Sequence, residues 1–282
     1  MKMEPMRPIK GVIFDLDDTL YDCNYTNNAA SIDAVCTYAA QHLLHLPKNE
    51  VRNAFDQARQ SIKAGMLGDT ASQHNRMLYF QRTLELLHLP PTSYALEMYS
   101  YFWNDFLSRI IVFDGVFDML NYLQAKGIRI GICTDMTVHI QHRKMRALQI
   151  APYINMLLTS EEVGAEKPHP NIYNRACEKM GLLPEECIFV GDSLKKDVLG
   201  PISAGMQGIW FRAEEFCDRT KDAREVDKVE LEWNARGTAI EQVEWNVCMQ
   251  QIGKQPDFPD IVRVENHKEL LTYLKMKLGE TL

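Results

Sequence analysis

The chain has 282 residues, of which 46% are hydrophobic and 24% charged, and it carries a formal net charge of −7. That length is room for one large domain or two smaller ones, with enough apolar residues for a sizeable core. The acidic balance argues against a protein that coats nucleic acid or an anionic membrane, although a local site can still bind phosphate.

The opening residues, MKMEPMRPIK, hold no apolar stretch of the kind a secretory signal needs. No run approaches the ~18 apolar residues of a membrane-spanning helix. The seven cysteines are odd in number and form no CxxC pair, and several sit in apolar runs, as in Ile132-Cys133 and Cys187-Ile188. They read as reduced core residues, and the expected location is cytoplasmic.

Residues 9–14 read as a buried strand that runs straight into three acids, Asp15, Asp17 and Asp18. From 22 to about 108 apolar residues recur at three and four, as in Ile32, Val35, Cys36 and Ala39, which predicts about four helices and no strand. Breaks fall at Leu46-Pro47, between Gly65 and Gly68, and at Pro90-Pro91. From about 112 short apolar runs alternate with amphipathic stretches. The predicted strands are 128–133, 156–159, 187–190, 208–211 and 261–264; the predicted helices are 115–126, 137–148, 170–180, 194–204 and 267–277. Such alternation implies crossover units and a parallel sheet covered by helices, with 9–14 as one of its strands. The expected fold is therefore α/β, with a helical block inserted after the first strand and a cleft between the two parts. Residues 214–258, with 11 acidic and 6 basic residues and Trp233 and Trp245, are long for a loop and read as a mostly helical surface excursion.

Ligands of an open parallel sheet bind beyond the carboxyl ends of its strands. Three strand ends carry chemistry: Asp15-Leu16-Asp17-Asp18-Thr19, Thr134-Asp135, and Gly191-Asp192-Ser193 followed by Asp197. Lys167 arrives by the intervening loop Gly164-Ala165-Glu166-Lys167-Pro168. Asp15 and Asp17 are two apart, so in extended backbone they face the same side. Crowded carboxylates repel unless a cation joins them. Oxygen ligands without histidine or cysteine partners indicate Mg2+. One carboxylate can then act as a nucleophile and a second as acid and base. A lysine and a hydroxyl can hold the charge of a transferring phosphoryl group.

These segments, DLDDT, the strand-ending Thr134, Lys167 in EKPHPNIY, and GDSLKKD, resemble in order and spacing the four signatures of the haloacid dehalogenase-like (HAD) hydrolase superfamily. The likeness covers residues 9–22 and about 110–211. The helical insert falls where the phosphoglycolate phosphatase-like subfamily carries a helical C1-type cap. The resemblance implies a Rossmann-like three-layer core formed by 1–21 and 109–282, with an atypical insertion at about 214–258, and a cap domain at 22–108. It implies a Mg2+-dependent phosphatase acting on a small phosphorylated metabolite through an aspartyl-phosphate. Asp15 would be the nucleophile and Asp17 the acid and base. Thr134 and Lys167 would hold the phosphoryl oxygens. The metal would fall to Asp15, Asp17 through its carbonyl, and Asp192, with Asp197 steadying the metal's water shell or Lys167. Relatives often carry Asn after the motif threonine; here that position is Asp135, counted with the phosphate-binding group.

Other residues have blander readings. Asp18 and Ser193 read as loop and cap residues, Thr19 as a hydrogen-bonding loop residue, and Lys195-Lys196 as a solvated helix face. His42-x-x-His45 and His139-x-x-His142 have metal-like spacing but no third ligand in register. The aromatic run 99–103 reads as core of the helical block. A phosphomutase of the β-phosphoglucomutase type is the alternative activity, since it would use the same intermediate. A 2-haloacid dehalogenase is less favoured, because a halide leaving group needs no Asp17. An idle binding protein on this fold fits the complete acid set poorly. No nucleic-acid or membrane partner is expected, and the chain would be a monomer or homodimer.

Overall fold

The computed structural model describes residues 8–66, 70–216 and 260–280, together with 221, 224–226 and 228. The predicted excursion at 214–258 falls almost wholly outside the described residues, apart from a short turn at Glu214–Phe216.

Six strands form one all-parallel sheet: β1 (Gly11–Phe14), β2 (Arg129–Thr134), β3 (Met156–Thr159), β4 (Cys187–Gly191), β5 (Gln207–Phe211) and β6 (Val262–Val264). Their order across the sheet is β3-β2-β1-β4-β5-β6. The α/β expectation holds, and each predicted strand lies within one or two residues of the observed one. β1 and β4 are buried along their whole length, which is why both read as continuous apolar runs rather than alternating ones. Chain order reverses between β1 and β4, so the crevice beyond their carboxyl ends is where a ligand of such a sheet sits.

Four helices follow β1: α1 (Asn27–Tyr38), which widens into a π-helical stretch to Leu44, α2 (Lys48–Gly65), α3 (Arg76–Leu86) and α4 (Pro91–Arg109). Pro47 and Pro90 stand just before α2 and α4, where a missing amide hydrogen costs nothing. Phe55, Phe80 and Phe102 meet at the centre of this block, with ring centroids 5.6 and 6.0 Å apart. One apolar cluster runs from these rings through Phe106 and Tyr21 to Val12 and Phe14 of β1, so block and sheet share a continuous buried interior.

The remaining helices alternate with strands: α5 (Val116–Ala125), α6 (Val138–Ala147), the single turn α7 (Ser160–Val163), α8 (Pro170–Met180), a π-helical turn over Leu194–Leu199 running into α9 (Gly200–Ser203), and α10 (His267–Lys277). Among the described residues, no helix is long and apolar enough to cross a membrane.

His267 opens α10 yet is 1% exposed, its ring 4.5 Å from that of Phe211 and 6.0 Å from that of Phe113. Burial pushes its pKa down to about 3, opposed first by the Thr19 backbone and then by the Asp114 charge. Its contribution to stability is complete above the unfolded value near 6.5 and is lost as pH falls towards 3, at about 1.4 kcal/mol per pH unit. Urea unfolding between pH 7 and 4.5 is therefore expected to show a steeper acid loss for the native chain than for His267→Phe. Parallel curves for the two would contradict this.

Candidate active site

β1 ends at Phe14, and the amide of Asp15 donates to the carbonyl of Val190 on β4 at 2.9 Å, which fixes Asp15 at the reversal point of the sheet. The Lys167 ammonium, 2% exposed, donates to Asp15 Oδ1 at 2.7 Å and to Asp197 Oδ1 at 2.6 Å. Asp197 is oriented by the Ser193 amide, which donates to its second oxygen at 3.0 Å. The chain must be bare at Gly191 for this: a Cβ there would stand 2.4 Å from the Asp197 side chain. The Asp192 carbonyl accepts from Trp210 Nε1 at 2.8 Å, tying the end of β4 to β5.

The carboxylates of Asp15, Asp192 and Asp197 each offer an oxygen within 4.8 Å of the others. Burial, countered by Lys167 and reinforced by Asp197 and Asp17, pushes the Asp15 carboxyl up to about 7. Asp192 is driven well above the usual carboxylate range by burial and then by Asp197 and Asp15. Lys167 is raised in turn: burial alone would lower it, but Asp15, Asp197 and Asp135 outweigh that. The cluster holds more negative charge than one ammonium balances. An all-oxygen donor set of this kind suits a hard divalent cation, Mg2+ above all.

Asp17 lies apart from that cluster. Both of its oxygens accept from Lys144 Nζ of α6 at 2.7 Å, and Tyr21 donates to it at 2.5 Å. Burial works to raise its pKa, yet Lys144 and Tyr21 carry the net value down. Lys144 is 1% exposed, and its ammonium stands about 6 Å from the rings of Tyr21, Trp103 and Phe106. Thr134 ends β2 and lines the same cleft; its hydroxyl accepts from Gln141 Nε2 at 2.8 Å, which leaves its hydrogen free to donate. Asp135 accepts from the Lys167 amide at 2.9 Å and from Lys196 Nζ at 3.0 Å.

All seven residues singled out in the sequence, Asp15, Asp17, Thr134, Asp135, Lys167, Asp192 and Asp197, thus line one cleft. Asp18 is the loop residue expected, accepting from the amides of Cys23 and Asn24 at 2.9 and 2.8 Å. Ser193 caps the turn after β4, accepting from the Lys196 amide at 3.3 Å. Two readings need correction. Lys196 is not on a solvated face: it turns inward to Asp135 and to Glu166 at 3.3 Å, because the wide π-helical turn brings it over the cleft. The Thr19 hydroxyl is buried without a hydrogen-bond partner among the described residues. Neither histidine pair joins a metal-ligating group among the described residues; His139 meets the Tyr99 hydroxyl at 2.9 Å.

Several cleft residues escaped the sequence reading. Lys144 and Gln141 share the buried face of α6 with Ile140 and Met145, and polar residues in apolar phase were the available signal. The helical block contributes Asn28, His74 and Arg76. His74 Nε2 stands 3.1 Å from Glu166 Oε1, next to Lys167.

Comparison with known proteins accords with this site. A family model for haloacid dehalogenase-like hydrolases matches residues 9–205. The ribulose-1,5-bisphosphate 5-phosphatase of Halopiger xanaduensis is 34% identical over 217 residues, which are 75% of this chain and 88% of that protein. The glyceraldehyde 3-phosphate phosphatase of Pyrococcus furiosus is 28% identical over 220 residues, 78% of this chain and 88% of that one. The crystal structure of a HAD phosphatase from Thermococcus onnurineus shares the fold with a TM-score of 0.59, covering 96% of this chain and 98% of its own at 21% identity. The chain belongs to the haloacid dehalogenase-like hydrolase family. It is an enzyme, a hydrolase of the phosphatase kind.

If the three carboxylates take up Mg2+, the folded state gains about 2.7 kcal/mol at one hundred times Kd. The melting temperature is expected to rise with added Mg2+ for the native chain and not for Asp192→Asn. An equal rise in both would place the metal elsewhere.

Proposed function

We propose that the protein hydrolyses a small phosphorylated metabolite in two in-line steps through a phosphorylated Asp15. The observation that carries this reading is that three strand ends and one loop bring Asp15, Thr134, Lys167 and Asp192 to a single cleft, with a second carboxylate, Asp17, held separately. The two relatives named above are phosphatases of small phosphorylated compounds, which supports the substrate class.

In the first step an Asp15 oxygen attacks phosphorus, the P–O bond to the leaving group breaks, and Asp17 gives that oxygen a proton. In the second, Asp17 takes a proton from water, whose oxygen attacks phosphorus. The Asp15–phosphorus bond breaks and inorganic phosphate leaves. The Lys144 and Tyr21 contacts hold Asp17 as the carboxylate, the form the second step uses. The first step needs Asp17 protonated and turned from Lys144 to the leaving oxygen. Lys167 and the Thr134 hydroxyl supply positive charge and a hydrogen bond to the phosphoryl oxygens. Asp135 acts through others: it anchors the Lys167 backbone and holds Lys196 over the cleft. Mg2+, held by Asp15, Asp192 and the carbonyl of Asp17 with Asp197 nearby, would neutralise phosphoryl charge and relieve repulsion among the acids. Residues 22–108 would act as a cap over a core made of 1–21 and 109–282, excluding water from the acyl-phosphate.

The test is phosphate release from a panel of phosphorylated metabolites, with Mg2+ and with EDTA. Release is expected to need Mg2+ and to vanish in Asp15→Asn. No release from any member by folded protein would overturn the reading. With p-nitrophenyl phosphate, whose leaving group needs little protonation, Asp17→Asn is expected to give a burst of about one nitrophenolate per enzyme. Turnover after the burst should be lower by about 10²–10⁴. Full turnover in that variant would remove Asp17 from the acid–base role.

A further inference from the structure

The helical block supplies part of the cleft wall, and that part carries a cation. Arg76 is the first residue of α3 and lines the cleft with the catalytic acids. Its guanidinium donates to the Asn28 side-chain oxygen at 3.2 Å and to the His74 carbonyl at 3.0 Å, both neutral acceptors. Its Nε is buried with no hydrogen-bond partner among the described residues. No carboxylate pairs with it among the described residues. The rings of Tyr79 and Phe102 lie 5.4 and 5.7 Å from the guanidinium carbon and shield part of it from water.

A guanidinium held this way is costly. Shielding a charge from water without a counter-ion is unfavourable, and leaving one buried donor unmade adds to it. Packing alone gives no reason to keep an arginine here, since a leucine or methionine would fill the space between the rings without that cost. The surroundings hold both signs: the Arg59 charge opposes that of Arg76, and the Asp17 charge favours it. Arg59 and Lys63, one turn apart on α2, form no ion pair with a carboxylate among the described residues; Lys63 is lowered by burial and then by the like charges of Arg59 and Arg76, with Glu166 opposing. Asn28, whose oxygen is taken by Arg76, keeps its amide hydrogens for another acceptor in the cleft.

We infer that Arg76 and Asn28 form a second anion subsite, which takes a phosphoryl or carboxylate group at the end of the substrate remote from Asp15. The substrate is then a small molecule with two anionic ends. Which end is transferred rests on the phosphatase reading above; the existence of the subsite does not. The planar fork of Arg76 presents paired donors to a planar carboxylate or a phosphate face, which a lysine would not.

The probes are alkyl phosphates of two to five carbons that end in methyl, carboxylate or phosphate. Their binding to Asp15→Asn is measured by calorimetry, where no turnover can occur. At the chain length that spans the cleft, an anionic end is expected to tighten binding by about ten- to hundredfold over methyl, the range of a charge-assisted pair. Whether carboxylate or phosphate gains more identifies the source of the second charge. Adding Arg76→Gln should bring the three ends to near equality, and Arg76→Lys should keep part of the preference. Equal binding of all three ends at every length, or none, overturns the inference without any variant. So does a preference that survives Arg76→Gln. Turnover of the same series by the native chain reports separately on the phosphatase reading: no phosphate release would remove that reading, while the binding series would still decide the subsite.

Discussion

A single buried ammonium organises the site. Lys167 is closed from solvent between Asp15 and Asp197, and each of the three is held from a different part of the chain. Losing one partner of such a buried pair costs about 3–5 kcal/mol, so the loop bearing Lys167, the end of β1 and the turn after β4 are locked together. The bare backbone at Gly191 and the Ser193 amide follow from the same need, since both serve to seat Asp197. Yet the lysine does not balance the site. Asp192 adds a further carboxylate, and Asp15 and Asp192 are pushed towards protonation by burial and by the neighbouring acids. That residual imbalance is of the kind a divalent cation relieves, and it places the charge of Asp15 under the control of its neighbours.

The cleft is polarised across its width. On the sheet side the ammoniums of Lys144, Lys167 and Lys196 are each paired with carboxylates; the helical side brings Arg76 and His74, with Arg59 and Lys63 on the same block. A chain of net charge −7 can therefore still draw an anion into this cleft, because the field that matters is local. Lys144 and Tyr21 hold Asp17, while burial dominates at Asp15, so two carboxylates two residues apart have opposite environments, one pulled down and one pushed up. Such divergence is how a pair of like residues is given unlike duties.

Much of this was legible in the sequence because its causes are local. Buried parallel strands read as short apolar runs, and the crossover helices as amphipathic stretches; α8 and α10 begin and end where the periodicity placed them. The acids after β1 and β4 and the hydroxyl after β2 follow from the rule that sheets bind ligands at their carboxyl ends. What stayed hidden depends on contacts between distant segments. Lys144 meets Asp17 across 127 positions, and beside Arg143 and Arg146 it looks like one more helix cation. Lys196 passed as a surface residue because an α-helical turn was assumed where the chain winds wider. Arg76 could not be distinguished from any first-turn arginine until its lack of a counter-ion was visible in three dimensions.

The central claim is that Asp15 becomes covalently phosphorylated. An acid quench of Asp17→Asn with p-nitrophenyl phosphate, followed by mass spectrometry of the peptide spanning 11–22, tests it most directly. The account predicts phosphate on Asp15 in that peptide, since the asparagine cannot activate the water that would release it. A quenched peptide that is never phosphorylated, from a variant that still shows the nitrophenolate burst, would contradict the account.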